Sequence, residues 1–526
     1  MSINYNFSKI RTFIWPIHSS ELKKFIPMLL IFFLIAFNYN VLRAAKDTLI
    51  VTSPNSGAEA IPFIKLWTIL PTALFFTYLF TKLSNNFSKE KVFFIMMGIF
   101  LIFFFIFTFF LYPNREALQP DRFANFLQSV LPNGFKGFIS MIRNWTLTSF
   151  YVMSEIWGTA ILTVLFWGYA NEVTTVTEAK RFYTLFAVGA NISGICSGQT
   201  AIYLSSNMYI PSIPYGTTAW EQSVLYTNST VIILGIVVMV IFYYLSKTTK
   251  TEKSESISAS KPPKLKFSIK DSFSYLAKSK YLLCIALIVL SYNLTTHIVE
   301  ILWKHQIKQL YPNPQQFNAY MGYVQKMIGI VATCIAFFFS GNLLRKFSWT
   351  FTALITPIIV LVTGIFFFSF FTLKTNSAQT FASFFNSTPI VLSVFFGAMQ
   401  NILSRASKYT LFDSTKEIAY IPLDNEVKRR GKAAIDGVGS RLGKSSGSTV
   451  TQGFLLIFTT LSASAPYIGI LFISISIIWL FATVSLGKQF KIVNKEKPVK
   501  DPYLKKEALQ QYLPFMNKNN KEQAVK

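Results

Sequence analysis

Residues 100–111 read Phe-Leu-Ile-Phe-Phe-Phe-Ile-Phe-Thr-Phe-Phe-Leu, and the charge-free run around them reaches from Val92 to Tyr112. Folded as a helix, a run of this length covers the ~30 Å hydrocarbon core of a bilayer, for which roughly 20 apolar residues suffice. Ile232 to Leu245 is equally apolar. Working outward, apolar blocks bounded by charge predict spans over 25–50, 61–83, 92–112, 137–170, 184–206 and 228–246. A second series falls over 280–305, 318–344, 349–372, 388–410, 433–460 and 465–487. The block 137–170 is long enough for one overlong helix or two shorter ones. The composition agrees with an all-α membrane protein. Of 526 residues, 52% are hydrophobic and 14% charged, against about 25% charged in soluble domains, and mean hydropathy is +0.41.

Charge sets the orientation. Lys and Arg outnumber Asp and Glu by 50 to 23, a net charge of +27. In a soluble chain that excess suggests a nucleic-acid polymer; in a polytopic one it marks cytoplasmic loops. Lys82, Lys89, Lys91, Lys180, Arg181, Arg345, Lys346, Lys416, Lys428, Arg429, Arg430 and Lys432 fall in even-numbered connections. Residues 205–226 carry no Lys or Arg, and 371–388 carry only Lys374. Both termini are therefore expected in the cytoplasm. The opening segment has Lys23 and Lys24 before an apolar run too long for a cleaved signal, so the first span is expected to stay. Cys196, Cys284 and Cys334 lie far apart, and His18, His297 and His305 form no cluster with them. That pattern supports neither a disulfide framework nor a metal site, and no cofactor is implied.

Residues 247–279 are rich in Lys and Ser and lack apolar periodicity, as a cytoplasmic linker would. They divide the chain into a six-helix half (1–246) and a second six-helix half (280–487), followed by a basic tail (488–526). The halves repeat weakly. Asn38-Tyr-Asn40 is echoed by Ser291-Tyr-Asn293, each followed at the same interval by a carboxylate, Asp47 or Glu300. Glu178-Ala-Lys-Arg181 with Gly189-Ala-Asn191 is echoed by Glu426-Val-Lys-Arg429 with Gly437-Val-Gly439. Two parallel six-helix repeats are the plan of major-facilitator-like transporters, with the site between them.

An ionisable group inside a span costs roughly 2.5–3.5 kcal/mol on insertion scales and is a functional candidate by default. Here the set is Arg43, Lys46, Asp47, Lys65, Arg143, Glu155, His297, Glu300, Lys304, Lys326, Asp436, Arg441 and Lys444. Lys46, Lys65, Lys326 and Lys444 suit a ring of cations around a polyanion. Glu155 and Glu300 suit gating pairs that exchange a lysine for a phosphate. Arg43, Arg143, Lys304 and Lys308 lie nearer span ends, where helix-locking pairs or snorkelling explain them. Trp67, Trp157, Trp167 and Trp303 neighbour these charges, and Trp67 and Trp157 are candidates for stacking on a base. Gly439-Ser-Arg-Leu-Gly443-Lys444-Ser445 imitates a phosphate loop but has three residues between its glycines where four are required. No nucleophile–base or metal constellation occurs, which argues against an enzyme.

Several longer stretches resemble the nucleotide transporter family of chlamydiae, rickettsiae and plastids. They are Asn38 to Asp47, Ser56 to Lys65, Phe150 to Gly158, Val164 to Asn171, and Lys432 to Asp436 leading into Arg441 to Gly447. Phe13 to His18 and Glu21 to Lys24 are most similar to the chlamydial branch. The resemblance implies alternating-access exchange of ATP for ADP, with proton-coupled nucleotide or NAD-type transport as the alternative. It implies an inner-membrane carrier of an obligate intracellular bacterium, with ATP, ADP and the lipid bilayer as its partners, expected to work as a monomer. Family positions important for transport fall on Lys46, Glu155, Glu300 and Lys444. Arg43, Asp47, Lys65, Asn191, Lys326, Asp436 and Arg441 form a second tier.

Overall fold

The computed structural model describes residues 15–253, 279–340, 347–372, 382–423 and 440–495, together with 427, 431, 432 and 435. It is built from helices. The first six spanning helices are α1 (Leu22–Val51), α2 (Ala60–Asn86), α3 (Lys89–Leu111), α6 (Trp145–Val173), α7 (Val176–Ser205) and α8 (Ala219–Lys253). Between α3 and α6 lie two short helices, α4 (Asp121–Val130) and α5 (Lys136–Arg143). The later set is α9 (Lys280–Leu310), α10 (Pro314–Cys334), α11 (Trp349–Thr372), α12 (Pro389–Tyr420), α13 (Ser440–Phe458) and α14 (Leu461–Lys495). Eleven of the described helices are long and apolar enough to cross a membrane. Helix α13, with 19 residues, has close to the length a crossing needs and lies within 433–460, the eleventh of the expected spans.

Most helices outrun the apolar blocks because polar residues at their ends continue the turn and cap it. Thr175 accepts from the Glu178 amide (3.3 Å) while the Glu178 carboxylate accepts from the Thr175 amide (2.7 Å), a reciprocal capping box. Asn313 caps α10, with Pro314 in its first turn. Helix α8 runs to Lys253, past the boundary expected at 246; residues 254–278 of the linker and 496–526 of the tail lie outside the described residues. The long block 137–170 resolves into α5 and α6, broken at Asn144 (φ −97°, ψ 44°). The buried Asn144 side chain holds that corner: its amide donates to Ser140 O (3.2 Å), and its oxygen accepts from Ser53 and Gln119 (both 3.3 Å).

The two helix sets meet most closely along α7 and α10. A Cβ on Gly198 would stand 2.5 Å from Gly322 O, and one on Gly322 would stand 2.8 Å from Gly198 O. Only hydrogen at both positions lets the backbones approach this far. Polar contacts continue the seam toward the end away from the termini. The Gln315 amide donates to Ser205 O and Asn207 O (3.0 Å each), and Asn318 donates to Ser205 Oγ (2.8 Å). Thr48 donates to Asn318 (3.1 Å), and Lys308 to Ser56 O (2.5 Å). Those residues sit at the distal ends of α1, α7 and α9 and the start of α10, so the molecule is closed on that side. On the termini side, Lys24–Glu178 (2.9 Å), Arg181–Glu21 and Lys89–Glu172 each join helices of the first set.

Valine at Gly198 is expected to part the seam. In a background with Cys196, Cys284 and Cys334 replaced by Ser, a Ser205→Cys probe should react faster with an impermeant maleimide added on the distal side. Unchanged labelling of a folded Gly198→Val protein would refute the seam. A second expectation concerns Glu178, which precedes the spanning part of α7. Burial acts to raise its pKa, but the Thr175 amide and the Lys24 ammonium outweigh burial and hold the carboxyl below its ordinary 4.5. A depressed carboxylate stabilises the fold fully above its unfolded pKa, and that contribution is lost as pH falls through the folded value. The melting temperature of the wild type should therefore drop more steeply below pH 4.5 than that of Glu178→Gln.

Candidate functional site

Helix α1 carries Arg43, Lys46 and Asp47 within little more than one turn, so all three approach the facing helices at about one depth. Helix α9 presents Glu300 and Lys304 four residues apart, hence on one face. Between the two helices the charges form a continuous chain. Lys46 Nζ lies 3.1 Å from Glu155 on α6 and 3.2 Å from its neighbour Asp47, above the ring of Tyr151 at 3.7 Å. Asp47 then meets Lys304 at 2.8 Å, and Lys304 meets Glu300 at 2.9 Å. Glu300 is also approached by Arg405 of α12 at 3.1 Å and by Arg43 at 3.6 Å. Among the described residues, four cations face three carboxylates in this chain.

The chain crosses from one helix set to the other twice, at Asp47–Lys304 and at Arg43–Glu300. Asp47 and Glu300, the carboxylates that correspond in the repeat, share Lys304. A unit-charge pair at 4 Å is worth about 4 kcal/mol at an effective dielectric near 20. In a dry environment each partner alone would be costly, so the arrangement is held by mutual need rather than by any one bond.

A second link runs beside the first. Lys65 on α2 lies 3.0 Å from His297 Nδ1 on α9, and His297 Nε2 lies 2.9 Å from Ser448 Oγ on α13. Gly447 makes room for that ring, since a Cβ there would stand 2.6 Å from the imidazole. Gln452 of α13 donates to Pro62 O (2.9 Å) and accepts from the Trp67 indole (3.4 Å). Trp67 is therefore exposed at the contact between sets. Trp157 is not: it is fully buried, donates to Ile35 O (3.2 Å) and packs against Phe100 and Phe104. The expectation that it stacks on a base is corrected to a core role within the first set. Trp303 is also buried and donates to Val394 O (3.0 Å).

The structure thus brings together Arg43, Lys46, Asp47, Glu155 and Glu300, with Lys65 adjacent through His297. Lys326 stands apart, donating to Gln199 on α7 (2.8 Å). Asn191 lies in the α7–α10 seam, its carbonyl 2.6 Å from where a Cβ on Gly329 would be. Arg143 pairs with Asp121 (3.0 Å) and Asn125 (2.6 Å) on the distal side. Asp436 and the side chains of Arg441 and Lys444 lie outside the described residues, as do Glu426, Lys428, Arg429 and Gly437 to Gly439 of the second repeat element. Sequence reasoning missed two members. Arg405 is a charge inside an apolar block, visible by the rule that found the others. Tyr151 carries no signal that separates it from other core tyrosines.

Beside the cluster, a cleft between α1, α9, α10 and α12 is lined by Asn40, Arg43, Glu300, Gln325, Asn401 and Arg405. Its free volume is about 20 Å³, room for about one water. The protein's own carboxylate occupies the space among the cations.

Among solved structures, the fold is similar to a D-xylose–proton symporter (TM-score 0.54, 13% identity, 89% of this chain and 97% of that one). It is also similar to a bacterial homologue of the iron transporter ferroportin in an inward-facing state (TM-score 0.50, 13% identity, 93% and 99%). At these identities the likeness establishes a major-facilitator-like fold and nothing of substrate. Sequence relatives are much nearer. "ADP,ATP carrier protein 1" of Chlamydia pneumoniae is 45% identical over 489 residues, 92% of this chain and 94% of that protein. The chloroplastic "ADP,ATP carrier protein 1" of Arabidopsis thaliana is 39% identical over 484 residues, 92% and 76%. The model of the TLC ATP/ADP transporter family matches residues 1–490. With that match running through both helix sets and the charged cluster between them, the chain belongs to the TLC ATP/ADP transporter family.

Proposed function

We propose that this protein is an ATP/ADP exchanger that imports ATP and exports ADP by alternating access across a bacterial inner membrane, with both termini in the cytoplasm. The observation that carries the reading is the chain of cations and carboxylates from Glu155 to Arg405, which joins the two helix sets where a carrier must bind and release a polyanion. In the empty carrier, Glu155 and Glu300 neutralise Lys46, Lys304, Arg43 and Arg405. A nucleotide replaces them with phosphate oxygens, and the cross-links Asp47–Lys304 and Arg43–Glu300 loosen as the sets change partners. Exchange rather than net flux follows: without substrate the pairs hold the sets together, and with substrate they do not. The family resemblance adds Lys444 as a further phosphate ligand. The charged chain is built from residues of one polypeptide, which supports a carrier that works as a monomer.

Uptake of labelled ATP into liposomes holding the purified protein tests this. Uptake should require ADP or ATP inside and should not respond to a proton gradient. ATP⁴⁻ entering for ADP³⁻ moves one net charge, worth ~2.3 kcal/mol per 100 mV, so a potential positive inside should drive uptake. Accumulation in empty liposomes under an inward proton gradient would replace exchange with proton-coupled import. The lock has its own test. Asp47→Asn leaves Lys46 and Lys304 short of a buried partner and should destabilise the protein by about 3–5 kcal/mol. Lys304→Met added to it should restore much of that. Equal melting temperatures for parent and Asp47→Asn would show that the pair carries no load.

A further inference from the structure

We propose that Arg405 of α12, together with Arg43 of α1, is the first contact of the nucleotide's phosphate chain, and that Glu300 occupies their anion position until the phosphates displace it. The proposal rests on the exchange reading and assigns the polyphosphate end of the substrate to a particular place in the fold.

Burial divides the cluster into two layers. The side chains of Lys46, Asp47 and Lys304 are 3%, 0% and 1% exposed. Those of Arg43, Glu300 and Arg405 are 19%, 16% and 15% exposed and line the small cleft. An anion arriving in the cleft meets the two guanidinium groups before either inner lysine. The pairing pattern points the same way. Lys304 has a second carboxylate, Asp47 at 2.8 Å, besides Glu300. Among the described residues, Glu300 is the one carboxylate within ion-pair reach of Arg405 and of Arg43. The two arginines are therefore the cations that most need a replacement anion, and Arg405, at 3.1 Å against 3.6 Å, is the nearer to the place it vacates.

Chemistry favours phosphate as that replacement. Lys304, Arg405 and Arg43 all make their nearest approach to Glu300 at Oε1, three cations on one carboxylate, where a di- or triphosphate offers more oxygens and more charge. Arginine carries five N–H donors in a planar fork that matches phosphate two bonds at a time. The nearest approach of Arg405 to Glu300 is from Nη2, at 3.1 Å. The two arginines come from different helix sets, so a phosphate chain held by both also bridges the sets and takes over the role of the Arg43–Glu300 pair. Asn40, Gln325 and Asn401 on the same cleft wall supply neutral polar groups, which leaves charge discrimination to the arginines.

The test is equilibrium binding to the purified full-length protein in detergent, using ATP, ADP, AMP and adenosine, with inorganic triphosphate as competitor. Wild type, Arg405→Lys, Arg405→Gln and a control, Lys89→Gln, are compared, with melting temperatures to verify folding. The wild type should bind more tightly with each added phosphate. Arg405→Gln should lose at least about tenfold in ATP affinity, the cost of a charge-assisted contact, with little change for adenosine. Arg405→Lys should fall between, and Lys89→Gln should match the wild type. A folded Arg405→Gln that keeps the wild-type preference for ATP over AMP overturns the assignment and leaves exchange untouched. A wild type that binds no adenine nucleotide overturns the exchange reading instead. Glu300→Gln gives an independent sign with Arg405 intact: removing the resident competitor should tighten inorganic triphosphate binding. If it weakens or does not change, displacement of Glu300 is wrong, and this result decides alone should Arg405→Gln fail to fold.

Discussion

Asp47 stands between two ammonium groups, Lys46 at 3.2 Å on its own helix and Lys304 at 2.8 Å on α9 of the other set. No single member of this group tolerates a dry environment by itself, and that constraint organises the centre of the molecule. Each charge demands a neighbour and the neighbour demands another, and among the described residues the chain passes from the buried Asp47 and Lys304 out to the partly open Arg43, Glu155 and Arg405. Hydrophobic burial cannot supply such specificity between helices in lipid, where one apolar face is much like another. Paired charge and close backbone contact decide which helices meet.

The two kinds of contact have different ranges. The α7–α10 seam works by steric fit and vanishes with an ångström or two of separation. The charged chain acts over longer distance and can change partners without breaking, because a phosphate oxygen replaces a carboxylate oxygen at similar distance. A carrier needs both properties. The seam and the Gln315, Asn318 and Lys308 contacts seal the distal side; the cluster next to them senses whether a polyanion is present. Their proximity on α1, α9 and α10 gives substrate binding a mechanical route to that seal, since Thr48, one residue beyond Asp47, bonds Asn318.

Much of this was legible in the residues. Long apolar blocks located the spans, with ends that differ from the helices by up to about ten residues, and charge inside spans drew attention to Lys46, Asp47, Glu155 and Glu300 without a structure, while Lys304 was read as a helix-locking or snorkelling group. The resemblance to the nucleotide transporter family, carried by Asn38 to Asp47 and Phe150 to Gly158, anticipated the family that the whole-chain match established. Other features resisted. The break at Asn144 depends on Ser53 and Gln119, which are distant in sequence. Trp157 looked suited to a base because it lies two residues from Glu155, yet a helix turns about 200° over two residues, and that turn directs the indole into the core. Arg405, a charge inside an apolar block, was open to the same rule as the others; its pairing with Glu300 was not.

Sequence by itself determined what the solvent-transfer energy of each segment dictates: a series of helices apolar enough for a membrane, and a short list of charges that must find partners. Those are properties of single segments, additive along the chain. Only the tertiary structure decided who pairs with whom: that Glu300 is shared by Lys304, Arg43 and Arg405, that Lys65 bonds His297, and that Lys326 stands aside with Gln199. The number of charge pairings consistent with the sequence is large, and their energies differ little until distance enters. Distance is fixed by packing, above all by where Gly198 and Gly322 let two backbones touch.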